Sequence, residues 1–170
     1  MTERPLGVDR AAFSCGVEPL DEYFTGENIQ RDVESGVTTA YVYHDDASNR
    51  IVGYYTLSNF VVLRANLSGS LSKKMRYQAV PATLIGRLAI QHDLRKQGIG
   101  RALLMRALIK AHALSQQSAS RVVVVDTISD DARRWYVKNG FAKLNNEDEQ
   151  FFFDLRRVPA LVEAAGTPLS

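Results

Sequence analysis

One cysteine, Cys15, is the whole thiol complement of this 170-residue chain. No internal disulfide can form, which excludes a disulfide-stapled secreted scaffold. With no base beside it in the sequence, Cys15 reads as a small buried residue rather than a nucleophile. Long apolar runs are missing too: none approaches the roughly 20 residues that span a bilayer. Met1–Val8 has no apolar stretch of leader type, so the expected compartment is the cytoplasm and no membrane association is expected. An excess of one charge is also lacking, since 21 Lys and Arg stand against 19 Asp and Glu. A global field for nucleic acid is therefore excluded, and any such site has to be a local patch. His44, His92 and His112 have no Cys or Asp at ligand spacing, so no metal is expected. Gly-x-Ser-x-Gly and Gly-x-x-x-x-Gly-Lys-Ser/Thr are both absent, which removes the serine-hydrolase elbow and the Walker loop.

What is present suits one well-buried domain: 45% hydrophobic and 24% charged residues, typical of globular proteins. Glu18–Phe24 reads as a short helix entered through Pro19, and Glu27–Ser35 as a second ended by Gly36. Strands are expected at Thr38–Tyr43 and Ile51–Leu63, joined through the turn-rich Asp45-Asp46-Ala47-Ser48-Asn49. Of Tyr54 and Tyr55, one must face the core by strand alternation, and the other is a candidate cleft residue. Ala65–Val80 is a polar excursion, partly helical, before Pro81 leads into an apolar strand. The tail after Arg157 holds Pro159 and Gly166-Thr167-Pro168, which predicts a frayed end.

The most telling stretch runs from Ile85-Gly86-Arg87-Leu88-Ala89-Ile90-Gln91 into Arg95-Lys96-Gln97-Gly98-Ile99-Gly100-Arg101. A β-branched strand ends in a polar turn, and glycines open a helix. Gly100, Leu103, Leu104, Ala107, Leu108, Ala111 and Leu114 recur at the spacing of one buried helical face. First-turn N–H groups have no partner inside a helix, and the dipole's positive end points the same way. Such a mouth, uncovered by side chains, binds phosphate. The dinucleotide fingerprint would need a third glycine where Leu103 stands.

A second segment follows. Arg121–Thr127 is a four-valine strand, after which Ser129 or Asp130 caps a helix through Trp135-Tyr136-Val137. Asn139-Gly140 stops that helix, Phe141 follows, and Gln150–Leu155 reads as a further strand. The element order ααββ-βαβαββ is that of an α/β domain with a mixed sheet.

Arg95-x-x-Gly98-x-Gly100 resembles the acetyl-CoA pyrophosphate loop of the GNAT family of N-acetyltransferases. Ala132-x-x-x-Tyr136-x-x-x-Gly140-Phe141 resembles that family's second signature, in the expected order. The resemblance implies the GNAT fold: a mixed, mostly antiparallel central sheet flanked by helices, with strands splayed at the acetyl-CoA site. It implies one acetyltransferase domain over residues 1–157 and a partly flexible tail over 158–170. Leu88, Ala89 and Ile90 would then offer backbone N–H groups to the thioester carbonyl. Arg95, Lys96, Gln97, Gly98, Ile99, Gly100 and Arg101 would receive the phosphates, with solvated surface cations as the alternative for Arg95, Lys96 or Arg101. Tyr136 falls on the tyrosine that protonates the coenzyme thiolate. A hydroxyl of pKa about 10 keeps its proton at neutral pH and can donate it. Ser129 stands where much of the family carries asparagine, and its hydroxyl can still donate to the coenzyme.

Phe13-Ser14-Cys15-Gly16, Leu20-Asp21-x-Tyr23, Gly53-Tyr54-Tyr55-Thr56-Leu57-Ser58, and Pro81 with Arg87-Leu88-Ala89-Ile90 are similar to the acetyltransferase toxins of toxin–antitoxin modules. That likeness implies a transfer from acetyl-CoA to the amino group of aminoacyl-tRNA, which stalls translation, and a ribbon-helix-helix antitoxin partner. A homodimer is a further expectation. Thr39 departs from the arginine that many relatives have there. The α-amino group of an aminoacyl ester is less basic than lysine, so no strong general base is needed, and none stands out beside Tyr136. Two other readings stay open: an N-acetyltransferase for a small amine or a protein N-terminus, and an inactive acetyl-CoA-binding module. Lys73, Lys74 and Arg76, with Arg133, Arg134 and Lys138, are the candidate patch for tRNA phosphates, against a merely solvated face.

Overall fold

The computed structural model describes residues 1–145 and 149–166. Its strands are β1 (Thr2–Arg4), β2 (Thr39–Asp45), β3 (Arg50–Leu63), β4 (Ala79–Ile90), β5 (Val122–Asp126), β6 (Ala142–Lys143) and β7 (Gln150–Asp154). Its helices are α1 (Glu18–Thr25), α2 (Asn28–Glu34), α3 (Leu71–Lys74), α4 (Ile99–Ser115), α5 (Asp130–Lys138) and α6 (Val158–Ala164). This is the expected mixed α/β class, and the chain packs as two compact units. Among the described residues no helix is long and apolar enough to cross a membrane.

The first unit comprises residues 1–58 and 86–105. Here β1 pairs antiparallel with β2 and β2 with β3, the β1-β2-β3-β4 part of a seven-stranded order. Its core gathers Phe13, Cys15, Phe24, Ile29, Val42, Tyr54 and Ala89. Aromatic stacking fixes it: Phe24 lies flat on Tyr54 at 4.0 Å, and Phe13 meets Phe24 edge-on at 4.8 Å, the geometries that ring quadrupoles favour. α1 starts with a proline in its first turn and acidic Glu18 and Asp21 near its positive end, which complements the helix dipole.

The second unit comprises residues 59–85 and those from 106 onward. It carries the β3-β4-β5-β7-β6 part of the order. β4 pairs with β5 in parallel over Ala82–Ile85, and β5 pairs with β7 antiparallel. Both neighbours bury the valines of β5: Val122 to Val125 are fully enclosed, the continuous apolar run expected of a central strand. The β4–β5 register ends at Ile85 with Val125, while β4 itself continues to Ile90.

Three elements differ from the expectation. The segment after Arg157 opens as a helix, α6, with Val158 and Val162 buried and proline in its first turn. Pro159 starts that helix instead of loosening a tail, and Thr167–Ser170 lie outside the described residues. β1 and β6, three and two residues long, carry no hydrophobic alternation and form because a neighbouring strand offers them hydrogen bonds. Tyr54 and Tyr55 are both fully buried, so neither lines a cleft. The Tyr54 hydroxyl donates to the Leu20 carbonyl at 3.0 Å, and the Tyr55 hydroxyl sits 3.3 Å from that of Tyr43.

Candidate active site

In the first unit, the end of β4 and the mouth of α4 are held by polar contacts. The Gln91 N–H donates to the Val52 carbonyl at 2.8 Å, which keeps Gln91 facing β3. Strand alternation then turns the Leu88 and Ile90 N–H groups to the edge away from β3. Ala89 is buried in the aromatic core, which fixes the strand between them. Beyond Gln91, Asp93 accepts two bonds from the Arg50 guanidinium at 2.9 and 2.8 Å. These bonds hold the Asp93 carboxyl below its usual range. The Gln97 side chain donates to the Asp93 carbonyl at 3.1 Å and ties the loop to that anchor.

The loop then takes two left-handed residues, Lys96 at φ +62° and Gly98 at φ +81°. Left-handed turns of this kind curl successive N–H groups around one concavity. Glycine adopts this conformation freely, whereas any other residue costs about 1–2 kcal/mol. The first helical bond of α4 runs from the Ala102 N–H to the Gly98 carbonyl at 3.0 Å. Ile99, Gly100 and Arg101 therefore present N–H groups with no acceptor inside the helix. Lys96, Gln97 and Gly98 are exposed, so the mouth faces solvent. Arg95 has a different engagement: its guanidinium donates to the Cys15 carbonyl, tying the loop to the N-terminal segment. The Cys15 thiol is buried and pushed up to about 11, chiefly by desolvation, which suits a packing residue.

In the second unit, Ser129 is the N-cap of α5, and its Oγ accepts from the Ala132 N–H at 3.1 Å. The hydroxyl proton is still available to donate. Asn139 and Gly140 end the helix: the Phe141 N–H returns to the Tyr136 carbonyl at 3.1 Å, and Gly140 takes φ +93°, a helix stop that glycine favours. Tyr136 is held edge-on between Trp135, at 5.0 Å, and Phe141, at 5.1 Å. Burial pushes its hydroxyl above the ordinary tyrosine value, so the ring carries a proton throughout the neutral range. Of the basic residues on α5, Arg133 pairs with Asp130 and Glu149 and Arg134 with Asp131. Both arginines thus have carboxylate partners on or beside α5.

Sequence reasoning missed the role of Arg87. Its guanidinium lies over the Tyr23 ring, and Tyr23 donates to Asp32 at 2.8 Å. No spacing rule links these residues, because α1, α2 and β4 meet only in the folded unit. Among the described residues no three His, Cys, Asp or Glu side chains gather into a group able to hold a metal ion.

Comparison with known proteins fits this geometry. Residues 37–143 match the acetyltransferase (GNAT) domain family. The chain is 29% identical to the tRNA-acetylating toxin of Mycobacterium tuberculosis (strain ATCC 25618 / H37Rv) over 133 residues, 78% of each chain. The solved structure of AtaT complexed with acetyl-methionyl-tRNAfMet is similar at a TM-score of 0.85 and 25% identity, covering 94% of this chain and 96% of that one. The structure of AtaTR bound with AcCoA is similar at a TM-score of 0.78 and 29% identity, covering 94% and 95%.

Proposed function

The chain belongs to the GNAT acetyltransferase family, and on that premise we propose that it is a toxin that acetylates the amino group of aminoacyl-tRNA and so blocks translation. The observation that carries the acetyl-CoA half is the mouth of α4: two left-handed loop residues and three first-turn amides with no acceptor inside the helix. That arrangement suits a pyrophosphate, whose charge meets N–H donors and the positive end of the helix. The amides of Gln97 to Arg101 bind it, with the Lys96 and Arg101 side chains as flanking cations. The Leu88 and Ile90 amides hold the thioester carbonyl, where negative charge develops during transfer. Tyr136 gives its proton to the departing thiolate, and Ser129 donates a further bond to the coenzyme.

The substrate half rests on the relatives, one named for acetylating tRNA and one solved with acetyl-methionyl-tRNA. An aminoacyl ester amine is less basic than lysine and much of it is free amine at neutral pH, so the transfer needs no strong base from the protein. The toxin likeness supports a ribbon-helix-helix antitoxin as the protein partner. The test is incubation with charged tRNA and labelled acetyl-CoA. Label on the aminoacyl group supports the proposal. Turnover only with simple amines, and no growth arrest on expression, would replace it with a metabolic acetyltransferase.

A further inference from the structure

The second unit holds a cleft of about 490 Å³ that none of this chemistry uses. It opens where β4 and β5 begin, at Pro81 and Arg121, beside the last turn of α4 at His112 and Ser115. Four cationic side chains, Lys74, Arg76, Arg121 and Arg156, line it together with no carboxylate. Arg121 is already committed: it donates twice to Asp154, at 3.0 and 3.1 Å. Lys74, Arg76 and Arg156 form no ion pair among the described residues. The carbonyl end of α4 opposes them with only about half a negative charge. With Arg121 balanced by Asp154, which the Arg156 charge also reaches, the remaining three cations leave the cleft positive by more than two charges.

The heads of Lys74, Arg76 and Arg156 are exposed, while the floor includes the buried Leu155. A small anion taken out of water would need buried donors around it. Solvated cations spread along a cleft suit a long polyanion whose phosphates stay wet. We propose that this cleft docks the ribose–phosphate backbone of the aminoacyl-tRNA. It would then serve as a substrate-body site beside the last turn of α4. The assignment rests on charged tRNA being the substrate. It also separates the expected basic residues: Lys74 and Arg76 belong with Arg156, while Arg133 and Arg134 do not.

The test is the triple variant Lys74→Glu, Arg76→Glu, Arg156→Glu, assayed on pooled aminoacylated tRNA and on a phosphate-free aminoacyl nucleoside. Binding of uncharged tRNA is measured alongside. KM for charged tRNA should rise about tenfold or more with kcat unchanged, and log KM should depend less steeply on log salt, by about two in slope. Turnover of the aminoacyl nucleoside should stay at the wild-type level. Wild-type KM and tRNA affinity in the triple variant would overturn the proposal. So would loss of antitoxin repression with tRNA kinetics intact, which would give the cleft to a protein partner. If the triple variant no longer binds acetyl-CoA, Lys74→Gln with Arg156→Gln is judged by the same criteria. Should the wild type bind tRNA through these residues yet acetylate no charged tRNA, the substrate reading fails and the docking site stands.

Discussion

The Arg87 guanidinium lies 3.4 Å from the centre of the Tyr23 ring. Tyr23 in turn donates to Asp32 at 2.8 Å, so a cation, a ring and a carboxylate link β4, α1 and α2. Burial and the bond to Asp32 push the Tyr23 hydroxyl up to about 12, so this link keeps its proton through the neutral range. The column stands one residue before Leu88 and thus braces the strand end whose amides are proposed to hold the thioester.

Arg87→Ala should destabilise the protein by about 1 kcal/mol, or roughly 2–4 °C in Tm for a chain of this size. Arg87→Lys should recover only part of that, because an ammonium lacks the flat face that stacks on a ring. Thermal unfolding of both variants checks this. Equal Tm values for wild type and Arg87→Ala would show that the stack adds no net stability.

Gly100 tests the phosphate mouth. Gly100→Asp puts a carboxylate among the first-turn amides and should weaken acetyl-CoA binding by about 100-fold or more, through repulsion of the phosphates and competition for their donors. Gly100→Ala keeps the helix and adds no charge, so its loss should be smaller. Calorimetric titration of acetyl-CoA into both folded variants separates the two causes. Unaltered affinity in Gly100→Asp would move the pyrophosphate elsewhere.

How much was legible in the sequence depended on how local the cause was. Ser129, Asn139 and Gly140 announced the ends of α5 because caps are set within a few residues. Gly98 did the same for the start of α4, and its apolar spacing marked the buried face as far as Ala111, whereas Leu114 is exposed. The Arg95 bond to the Cys15 carbonyl and the Arg87 stack on Tyr23 join parts far apart in sequence, and no periodicity carries such information. Pro159 was ambiguous for another reason. Proline both breaks helices and starts them, and burial of Val158 and Val162 decided for a start. Arg133 and Arg134 gave no sign in the sequence of their pairing with Asp130, Glu149 and Asp131.

The Arg121–Asp154 pair joins β7 to the approach of β5 and is only 14% and 20% exposed. Burial alone would raise the Asp154 carboxyl, but the bonds from Arg121 and the Arg156 N–H outweigh it, and the net shift is downward. A depressed carboxylate contributes stability above its unfolded value, near 3.9, and loses it as pH falls through the folded value. Arg121→Ala should therefore cost about 1–2 kcal/mol at pH 7 and progressively less below pH 4. Urea unfolding at pH 7 and pH 3 measures the difference. A cost that does not shrink in acid would mean Arg121 acts through packing rather than charge.

Tyr136 is the residue on which the chemistry turns. Tyr136→Phe keeps the ring between Trp135 and Phe141 but removes the donor. It should lower kcat by about 100-fold, with acetyl-CoA affinity little changed. Burial raises this hydroxyl above the ordinary value near 10, so its proton persists into mild alkali. The wild-type rate should then rise as the acceptor amine deprotonates, at a pH below about 8, and stay flat to pH 9. A fall beginning below pH 9 would mean that another group supplies the proton. A higher KM with kcat preserved in Tyr136→Phe would make the tyrosine a binding residue instead.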